Sequence, residues 1–258
     1  MAKPILITGA SSGIGYELAK VCAVHHHDLV LVARRGDRLQ ALADQLRTSH
    51  PIQVWTYGAD LTLAQTRQDL FDWTQSLGVG LYGLVNNAGF GYQAPLAEAD
   101  WETQHAMVQL NIAALTHLTR LYLPGLVAQG QGRILNVAST AAFLPGPYMA
   151  VYFASKAFVR SFTTAIATEV QGTGVTATTL CPGPTQSEFQ ERAGISNGKM
   201  FQGPLPSAAE VAAYGYTAME QGRAIAVHGT SNQALAWLTR FMPYDGLARV
   251  MKNLQEAD

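Results

Sequence analysis

A tyrosine and a lysine four residues apart form the pair best suited to acid–base chemistry in this sequence. Tyr152 and Lys156 open an amphipathic stretch that runs to about residue 171. Positions i and i+4 share one face of a helix, so the two polar groups can reach a common point. A phenol has an ordinary pKa of about 10, and a nearby cation favours its ionised form. The pair is therefore a candidate general acid–base group, although two surface residues of a helix can have the same spacing.

A serine follows an apolar run that we interpret as the fifth strand of a sheet. Ser139 stands in the sequence Asn136-Val137-Ala138-Ser139-Thr140. The carboxyl ends of parallel strands meet at one edge of the sheet, where ligands of such sheets bind. Ser139 would there orient a carbonyl oxygen while Tyr152 protonates it.

A glycine-rich turn follows the first apolar run of the chain. Its sequence is Thr8-Gly9-Ala10-Ser11-Ser12-Gly13-Ile14-Gly15. Such a turn between a strand and a helix lets backbone amides approach a pyrophosphate, and it directs the positive end of the helix toward that group. The alternative is a tight turn whose glycines serve only backbone geometry. The position after the first strand favours a dinucleotide site.

The second apolar run ends in two arginines, Arg34 and Arg35, where NAD-binding sheets of this type usually carry an acidic residue. Guanidinium groups hold a phosphate through charge-assisted, often bidentate hydrogen bonds. The sequence therefore predicts NADP(H) in preference to NAD(H). Alternatively, the two arginines belong to an exposed helix start and pair with Asp37 or Glu17.

Short apolar runs alternate with longer stretches of helical periodicity, which is typical of a parallel sheet covered by helices. The predicted strands are 5–7, 29–32, 52–57, 81–85, 133–137, 175–180 and 224–227. The predicted helices include 13–26, 36–49, 62–77, 103–129 and 152–171. The sequence thus predicts an α/β fold.

Composition narrows the class of protein further. The chain has 258 residues, of which 48% are hydrophobic and 14% charged, so we expect a large core. Its net charge of -1 argues against nucleic acid as a partner. Two cysteines suit a reducing compartment, so we expect a cytoplasmic protein. Apolar runs are too short for a membrane span, and the N-terminus does not resemble a signal peptide.

Three consecutive histidines, 25–27, superficially resemble a metal site. Adjacent residues of a helix point about 100° apart, so three adjacent imidazoles cannot share one ion on a regular helix. We interpret them as a polar helix end and predict no metal.

Taken together, these motifs resemble those of the classical short-chain dehydrogenase/reductase family, in particular a bacterial, NADP-preferring branch. The resemblance covers roughly residues 4–228, and the motifs occur in the expected order. They are Thr8-Gly9-x-x-x-Gly13-x-Gly15, Asp60-Leu61, Asn86-Asn87-Ala88-Gly89, Asn111, Ser139, Tyr152-x-x-x-Lys156 and Pro182-Gly183. The family implies a single-domain Rossmann-type fold, a doubly wound seven-stranded parallel sheet of order 3-2-1-4-5-6-7 with helices on both faces.

The resemblance also implies catalytic roles. Tyr152 would be the general acid in reduction and the base in oxidation. Lys156 would lower the pKa of Tyr152 and bind the nicotinamide ribose, and Ser139 would hold the substrate oxygen. Asn111 would fix a water that links Lys156 to solvent, a role compatible with tethering its own helix to the fourth strand.

The remaining family motifs imply contacts with the cofactor. Asp60 and Leu61 would meet the adenine, and the turn Asn87-Ala88-Gly89 would meet the adenosine side. Pro182 and Gly183 would contact the nicotinamide, with Thr185 at its carboxamide. With the glycine turn and the arginine pair, these residues complete the predicted NADP(H) site.

Apolar residues near the catalytic positions are candidates for the substrate wall. They are Ala141, Phe143, Tyr148, Met149, Pro184 and Phe189, with Tyr92 as a further candidate. Such a wall suits a hydrophobic or aromatic ketone, aldehyde or secondary alcohol. The substrate loop 184–206 carries Gly194, Gly198 and Gly203, and we expect it to close over the ligands.

The C-terminal stretch 229–258 departs from the alternation of strands and helices. Its apolar residues recur at near-helical spacing on both sides of Pro243. We expect a helical extension packed on domain 1–228. A substrate-covering flap, a dimer contact and a membrane-surface helix are the alternatives.

The sequence therefore predicts an NADP(H)-dependent oxidoreductase that interconverts a carbonyl and an alcohol on a hydrophobic small molecule. The alternative is an NADP(H)-sensing binding protein without significant turnover, because fold alone does not fix function. The family also implies a homodimer or homotetramer, formed through the helices 103–129 and 152–171.

Overall fold

Seven parallel strands form one sheet in the computed structural model, which describes residues 3–195 and 205–255. The strand order is β3-β2-β1-β4-β5-β6-β7. The strands are Ile5–Thr8 (β1), Leu29–Ala33 (β2), Val54–Gly58 (β3), Gly83–Asn86 (β4), Gly132–Val137 (β5), Val175–Cys181 (β6) and Ile225–Val227 (β7). The order reverses direction between β1 and β4, so the predicted doubly wound sheet is confirmed, with its switch point at the glycine turn.

Helices connect the strands and continue after β7. They are Gly13–Val24 (α1), Gly36–Ser49 (α2), Ala64–Ser76 (α3), Trp101–Val108 (α4), Leu115–Ala128 (α5), Ala150–Glu169 (α6), Phe189–Ala193 (α7), Ala208–Glu220 (α8), Thr230–Leu238 (α9) and Tyr244–Gln255 (α10). Four of the five predicted helical segments agree with the structure within a few residues, and the fifth, 103–129, is divided between α4 and α5. Ser207 and Glu210 form a capping box at the start of α8, a helix that is not among the predicted segments although this local signal for it is present in the sequence.

Successive residues of each strand point to opposite faces, so the sheet separates two apolar clusters. On one face Ile5 and Ile7 pack with residues of α1, α2 and α8. On the other face Leu6 packs with residues of α3, α5 and α6. Both clusters are almost wholly buried, which holds the carboxyl ends of the strands in fixed register.

The single helix predicted over 103–129 is interrupted in the structure. Asp100 caps α4 by accepting a hydrogen bond from the backbone N–H of Thr103 at 2.8 Å. A π-helical turn, Gln109–Ala114, then separates α4 from α5. Such turns are frequent at functional sites because they redirect a side chain. This turn carries Asn111.

The extension after β7 folds into α9 and α10, with Pro243 between them. Ala236, Leu247 and Met251 are buried in a third apolar cluster, which also contains Tyr152. The extension therefore packs beside the predicted catalytic residues. In the part of the chain that the structure describes, no helix is long and apolar enough to cross a membrane.

Candidate active site

A cavity of about 920 Å³ lies at the carboxyl edge of the sheet, where the predicted site residues converge. Its lining comes from the segments that follow β1, β2, β3, β4, β5 and β6, and from α6 and the extension. The topological switch point thus opens into the same space as the helix α6, which carries Tyr152 and Lys156.

The glycine turn forms one end of this cavity. Gly9 and Gly13 have φ angles of +69° and +57°, in the left-handed region that favours glycine. The Thr8 hydroxyl accepts hydrogen bonds of 3.0 Å from the backbone N–H groups of Asn87 and Ala88. The Asn87 side chain donates to the Thr8 carbonyl at 2.9 Å. These bonds fix the turn after β1 against the turn after β4.

Helix α1 points its N-terminus into the cavity without a side-chain cap. Ser12 is the N-cap residue, but its side chain makes no capping hydrogen bond, and the first turn contains no acidic residue. Ser11, Ser12, Gly13 and Ile14 line the cavity. The backbone N–H groups of this turn are thus available to an anion, as a pyrophosphate site requires.

Gly15 does not line the cavity, unlike the other predicted residues of this turn. A Cβ atom there would collide with the Asn87 amide and with the carbonyl oxygen of Gly9. The turn therefore needs glycine at this position for close packing rather than for ligand contact.

The two arginines after β2 have different environments. Arg34 is exposed and lines the cavity, and its side chain makes no hydrogen bond or ion pair with any residue in the described ranges. Arg35 donates to the hydroxyls of Ser11 and Ser12 and pairs with Glu188 at 3.0 Å. The alternative pairing of the arginines with Asp37 or Glu17 is not what the structure shows, because Arg35 uses Glu188 and Glu17 pairs with Lys20.

The other predicted cofactor residues line the cavity between the glycine turn and α6. They are Asp60, Leu61, Asn87, Ala88, Gly89, Pro182, Gly183 and Thr185. The carboxylate of Asp60 accepts hydrogen bonds from the backbone N–H and the hydroxyl of Thr62. Asp60 is thus held in place at the adenosine end of the site that the sequence predicts.

Ser139 and Tyr152 lie on the same wall of the cavity, and their side chains are hydrogen-bonded to each other. Ser139 is the N-cap of a short 3₁₀ turn, Thr140–Phe143, and its hydroxyl also accepts a hydrogen bond from the backbone N–H of Ala141 at 3.1 Å. Burial raises the pKa of Tyr152 to about 12, against the effect of a hydrogen bond with the Ser139 side chain. The phenol is therefore protonated at neutral pH, as a proton donor must be.

Lys156 lies one turn along α6 from Tyr152, at the cavity wall. Its Nζ atom donates to the carbonyl oxygen of Val137 at 2.9 Å and lies 5.8 Å from the centre of the Tyr152 ring. Burial lowers the pKa of Lys156 to about 8, and a smaller Coulombic interaction with Cys181 opposes that shift. The net shift of the Tyr152 pKa is upward, because burial of the phenol outweighs the hydrogen bond with Ser139, so the lowering expected from Lys156 is not observed.

Asn111 lies behind the cavity wall and is not in its lining. Its side-chain amide is paired with the backbone of Phe90, accepting from the N–H at 3.1 Å and donating to the carbonyl at 3.0 Å. It also donates to the Ser155 hydroxyl. These bonds tether the π-helical turn to the segment after β4 and to α6, which is the structural role that the sequence left open beside the relay.

The substrate end of the cavity differs in part from the predicted wall. Ala141, Met149, Pro184 and Phe189 line it. Phe143, Tyr148 and Tyr92 do not. The Phe143 ring is buried beneath the Arg160 guanidinium, at 4.5 Å. Tyr148 is in the left-handed conformation, at φ +61°, in the loop before α6, and its carbonyl accepts from the N–H of Ala94.

Several lining residues come from segments that were not predicted to belong to the site. The extension contributes Asn232, Leu235, Leu254 and Gln255, and the region around α4 contributes Phe90, Gln93, Glu102, Thr103, Ala106 and Leu110. Gln93 donates to the carbonyl oxygen of Gln255 at 3.0 Å, which joins these two walls. The near-helical spacing of apolar residues in the extension predicted its helices, but it did not indicate which face of these helices lines the cavity.

The predicted substrate loop is described only in part. Residues 182–185, 187–189 and 195 line the cavity, and the rings of Phe189 and Tyr152 are 5.3 Å apart. Gly194 ends α7 at φ +72°. Gly198 and Gly203, which we expect to allow closure, lie outside the described residues.

The three adjacent histidines lie at the end of α1, far from the cavity lining. His27 is buried, with its ring nitrogens on the Lys3 carbonyl at 2.8 Å and the Tyr216 hydroxyl at 2.9 Å. His25 stacks on the Tyr216 ring. The helix end is therefore held by hydrogen bonding and stacking.

Comparison with known proteins agrees with this arrangement. The short chain dehydrogenase family model matches residues 3–197. The chain is 36% identical over 181 residues to D-beta-hydroxybutyrate dehydrogenase of Cupriavidus necator, covering 70% of each chain. It is 37% identical over 191 residues to sulfoacetaldehyde reductase 2 of Chromohalobacter salexigens, covering 73% of this chain and 75% of that one.

The similarity to one solved structure extends over almost the full length of the chain. A short-chain dehydrogenase from Sphingobium yanoikuyae, in complex with NADPH, is 28% identical with a TM-score of 0.83, covering 99% of this chain and 98% of that one. The fold, the order of the motifs and the family match all agree. The chain therefore belongs to the short chain dehydrogenase family of oxidoreductases.

Proposed function

We propose that the protein is an NADP(H)-dependent oxidoreductase that interconverts a carbonyl and an alcohol on a hydrophobic small molecule. The observation that carries this proposal is the meeting of Ser139, Tyr152 and Lys156 at one wall of a cavity whose far end is the glycine turn. A proton donor, an oxygen-orienting hydroxyl and a dinucleotide-sized groove thus share one space.

The chain's own residues fit a dinucleotide. The uncapped N-terminus of α1 would hold the pyrophosphate, and Asp60 and Leu61 would meet the adenine. Arg34, exposed at the cavity edge, supports a 2′-phosphate and hence NADP(H). The relative from Sphingobium yanoikuyae was solved with NADPH, which supports the same preference. The bound nicotinamide would supply or accept the hydride.

Four residues of the chain would have separate roles in the reaction. Ser139 would donate a hydrogen bond to the carbonyl oxygen of the substrate, while Tyr152, protonated at neutral pH, delivers the proton to it. In oxidation the Tyr152 oxygen would take that proton back. Lys156, as a cation, would stabilise the phenolate that remains, and Asn111 would hold the π-helical turn behind it.

The substrate wall supports an apolar substrate. Leu144, Met149, Phe153, Phe189, Leu235 and Leu254 all line the cavity. Mostly apolar walls with a polar pair at the reacting atom suit hydrophobic or aromatic carbonyl compounds. The proposal is therefore a reductase for such ketones or aldehydes, or a dehydrogenase for the matching secondary alcohols.

The test is consumption of NADPH, with NADH alongside, over aliphatic, aromatic, steroid-like and thioester-linked carbonyl compounds. Turnover that is faster with NADPH and strongest on apolar carbonyls would support the proposal. Tight NADPH binding with no turnover on the whole panel would support the cofactor-sensing alternative instead.

We further propose that the protein is a cytoplasmic homodimer or homotetramer, with contacts through α4, α5 and α6. Val108, Val127 and Phe158 are exposed on these helices, and Phe158 stacks on Phe162 at 5.6 Å. Cys22 and Cys181 are buried free thiols, which supports a reducing compartment. A monomer mass in sedimentation equilibrium would contradict the oligomer.

A further inference from the structure

Glu188 joins the segment after β6 to the arginines after β2. Its carboxylate pairs with Arg35 at 3.0 Å and with Arg38 at 2.6 Å. Arg38 lies in the first turn of α2, and Arg35 and Glu188 line the cavity together with Arg34, so the bridge stands at the end of the cavity that the proposed 2′-phosphate would occupy.

The same bridge reaches the glycine turn. Arg35 donates to the Ser12 hydroxyl at 2.7 Å and to the Ser11 hydroxyl at 3.1 Å, while its other terminal nitrogen donates to Glu188. The neighbouring Ser187 lies 3.4 Å from where a Cβ of Gly13 would be. The segment after β6 therefore lies against the phosphate turn, with Glu188 bound to a residue of the predicted cofactor site.

The carboxylate remains charged under all ordinary conditions. Hydrogen bonding to Arg38, together with hydrogen bonding to Arg35 and the charges of both arginines, outweighs the opposing effect of burial and lowers the pKa of Glu188 to about 2. A carboxylate and a phosphate carry the same sign of charge and bind the same guanidinium donors. Only one of them can use the Arg35 and Arg38 donors that Glu188 uses here.

We propose that Glu188 is a specificity-determining residue that competes with the 2′-phosphate of NADP(H) for Arg35 and Arg38, and so limits the preference for NADP(H) over NAD(H). The inference rests on the proposed function, since it concerns the same dinucleotide site. NAD(H) has a hydroxyl at the 2′ position and leaves the Glu188 bridge in place. Binding of NADP(H) breaks the bridge, while Arg34 remains available to the phosphate.

The test compares the Kd values of NADPH and NADH for the wild-type protein, Glu188→Gln and Glu191→Gln, by quenching of tryptophan fluorescence. Glu188→Gln keeps the shape of the side chain but removes its charge. Glu191→Gln is the matched control, because Glu191 is an exposed acid in the same segment with no ion pair to any described residue. We expect Glu188→Gln to tighten NADPH about three- to tenfold, from the usual strength of exposed ion pairs, and to leave NADH within about twofold.

A second pair of ligands locates the effect on the 2′-phosphate. 2′,5′-ADP and 5′-AMP differ only in that phosphate, so Glu188→Gln should tighten the first and not the second. An unchanged NADPH to NADH ratio in Glu188→Gln, or an equal shift of both, would overturn the inference.

The proposed cofactor preference is tested separately by the wild-type ratio. A wild-type protein that prefers NADH, and a Glu188→Gln variant that moves toward NADPH, would support the competition while contradicting the proposed preference. Binding of neither dinucleotide to any of the proteins would overturn both.

Discussion

The Nζ atom of Lys156 donates a hydrogen bond of 2.9 Å to the carbonyl oxygen of Val137, the last residue of β5. Ser139 follows two residues later. This bond ties α6, which carries Tyr152 and Lys156, to the strand that presents Ser139, so it helps to set the relative positions of the three proposed catalytic side chains. It also explains why residues far apart in sequence reach one wall of the cavity.

The pH dependence should follow Lys156 rather than Tyr152. Burial places the pKa of Lys156 at about 8 and that of Tyr152 at about 12, so raising the pH removes the lysine cation while the phenol is still protonated. We expect kcat/KM for carbonyl reduction to fall above about pH 8. Lys156→Arg keeps its charge and should lack this decline. A wild-type profile that is flat to pH 10 would contradict this assignment.

We expect Ser139 to contribute to turnover only through its hydroxyl group. Ser139→Ala removes one donor for the substrate oxygen, and we expect kcat/KM to fall about 10²- to 10³-fold. The Kd for NADPH should change little, because the side chain faces Tyr152 rather than the glycine turn. Steady-state kinetics beside a binding titration separates these effects, and loss of NADPH binding would show a wider structural role.

Two glycines offer a matched comparison at the cofactor end. Gly15→Ala places a Cβ against Asn87 and the Gly9 carbonyl, whereas a Cβ at Gly36 meets no atom within 4 Å. We expect Gly15→Ala to cost about 1–3 kcal/mol in the free energy of unfolding through overpacking. Gly36→Ala should stay within about 0.5 kcal/mol of wild type. Urea unfolding measures both, and equal effects would show that the turn tolerates a side chain.

The extension should control substrate size. Leu254→Trp adds bulk to the cavity wall, whereas Val250→Trp makes a comparable change on an exposed part of the same helix. We expect Leu254→Trp to raise the KM of bulky carbonyl substrates and to leave the Kd of NADPH unchanged. Val250→Trp should resemble wild type. Equal behaviour of both variants would mean that the extension does not limit the substrate.

Local patterns in the sequence were sufficient to predict the fold. Each buried strand is a short apolar run between turn residues, and the spacing of Tyr152 and Lys156 places them on one face of α6. The glycine turn was equally visible, because left-handed φ angles at Gly9 and Gly13 restrict the residue type. Such features depend on neighbours in the chain, which a sequence displays directly.

Contacts between segments that lie far apart in the chain could not be predicted from local sequence patterns. Glu188 is separated from Arg35 by 153 positions, and no spacing rule connects them. Phe143 was assigned to the substrate wall because an apolar residue near a catalytic position fits either a cavity or a core, and it packs in the core. Leu254 was not predicted to line the cavity, because helical periodicity does not reveal whether the apolar face of a helix packs on the core or borders a cavity.

The most direct test of the proposed chemistry is the Tyr152→Phe variant, assayed for NADPH oxidation with the best carbonyl substrate of the panel and for NADPH binding. Removing one hydroxyl takes away the proton donor and keeps the ring that packs against Phe189. We predict a fall in kcat of at least about 10²-fold with an NADPH Kd close to wild type. Turnover at the wild-type rate would contradict the role of Tyr152 as general acid.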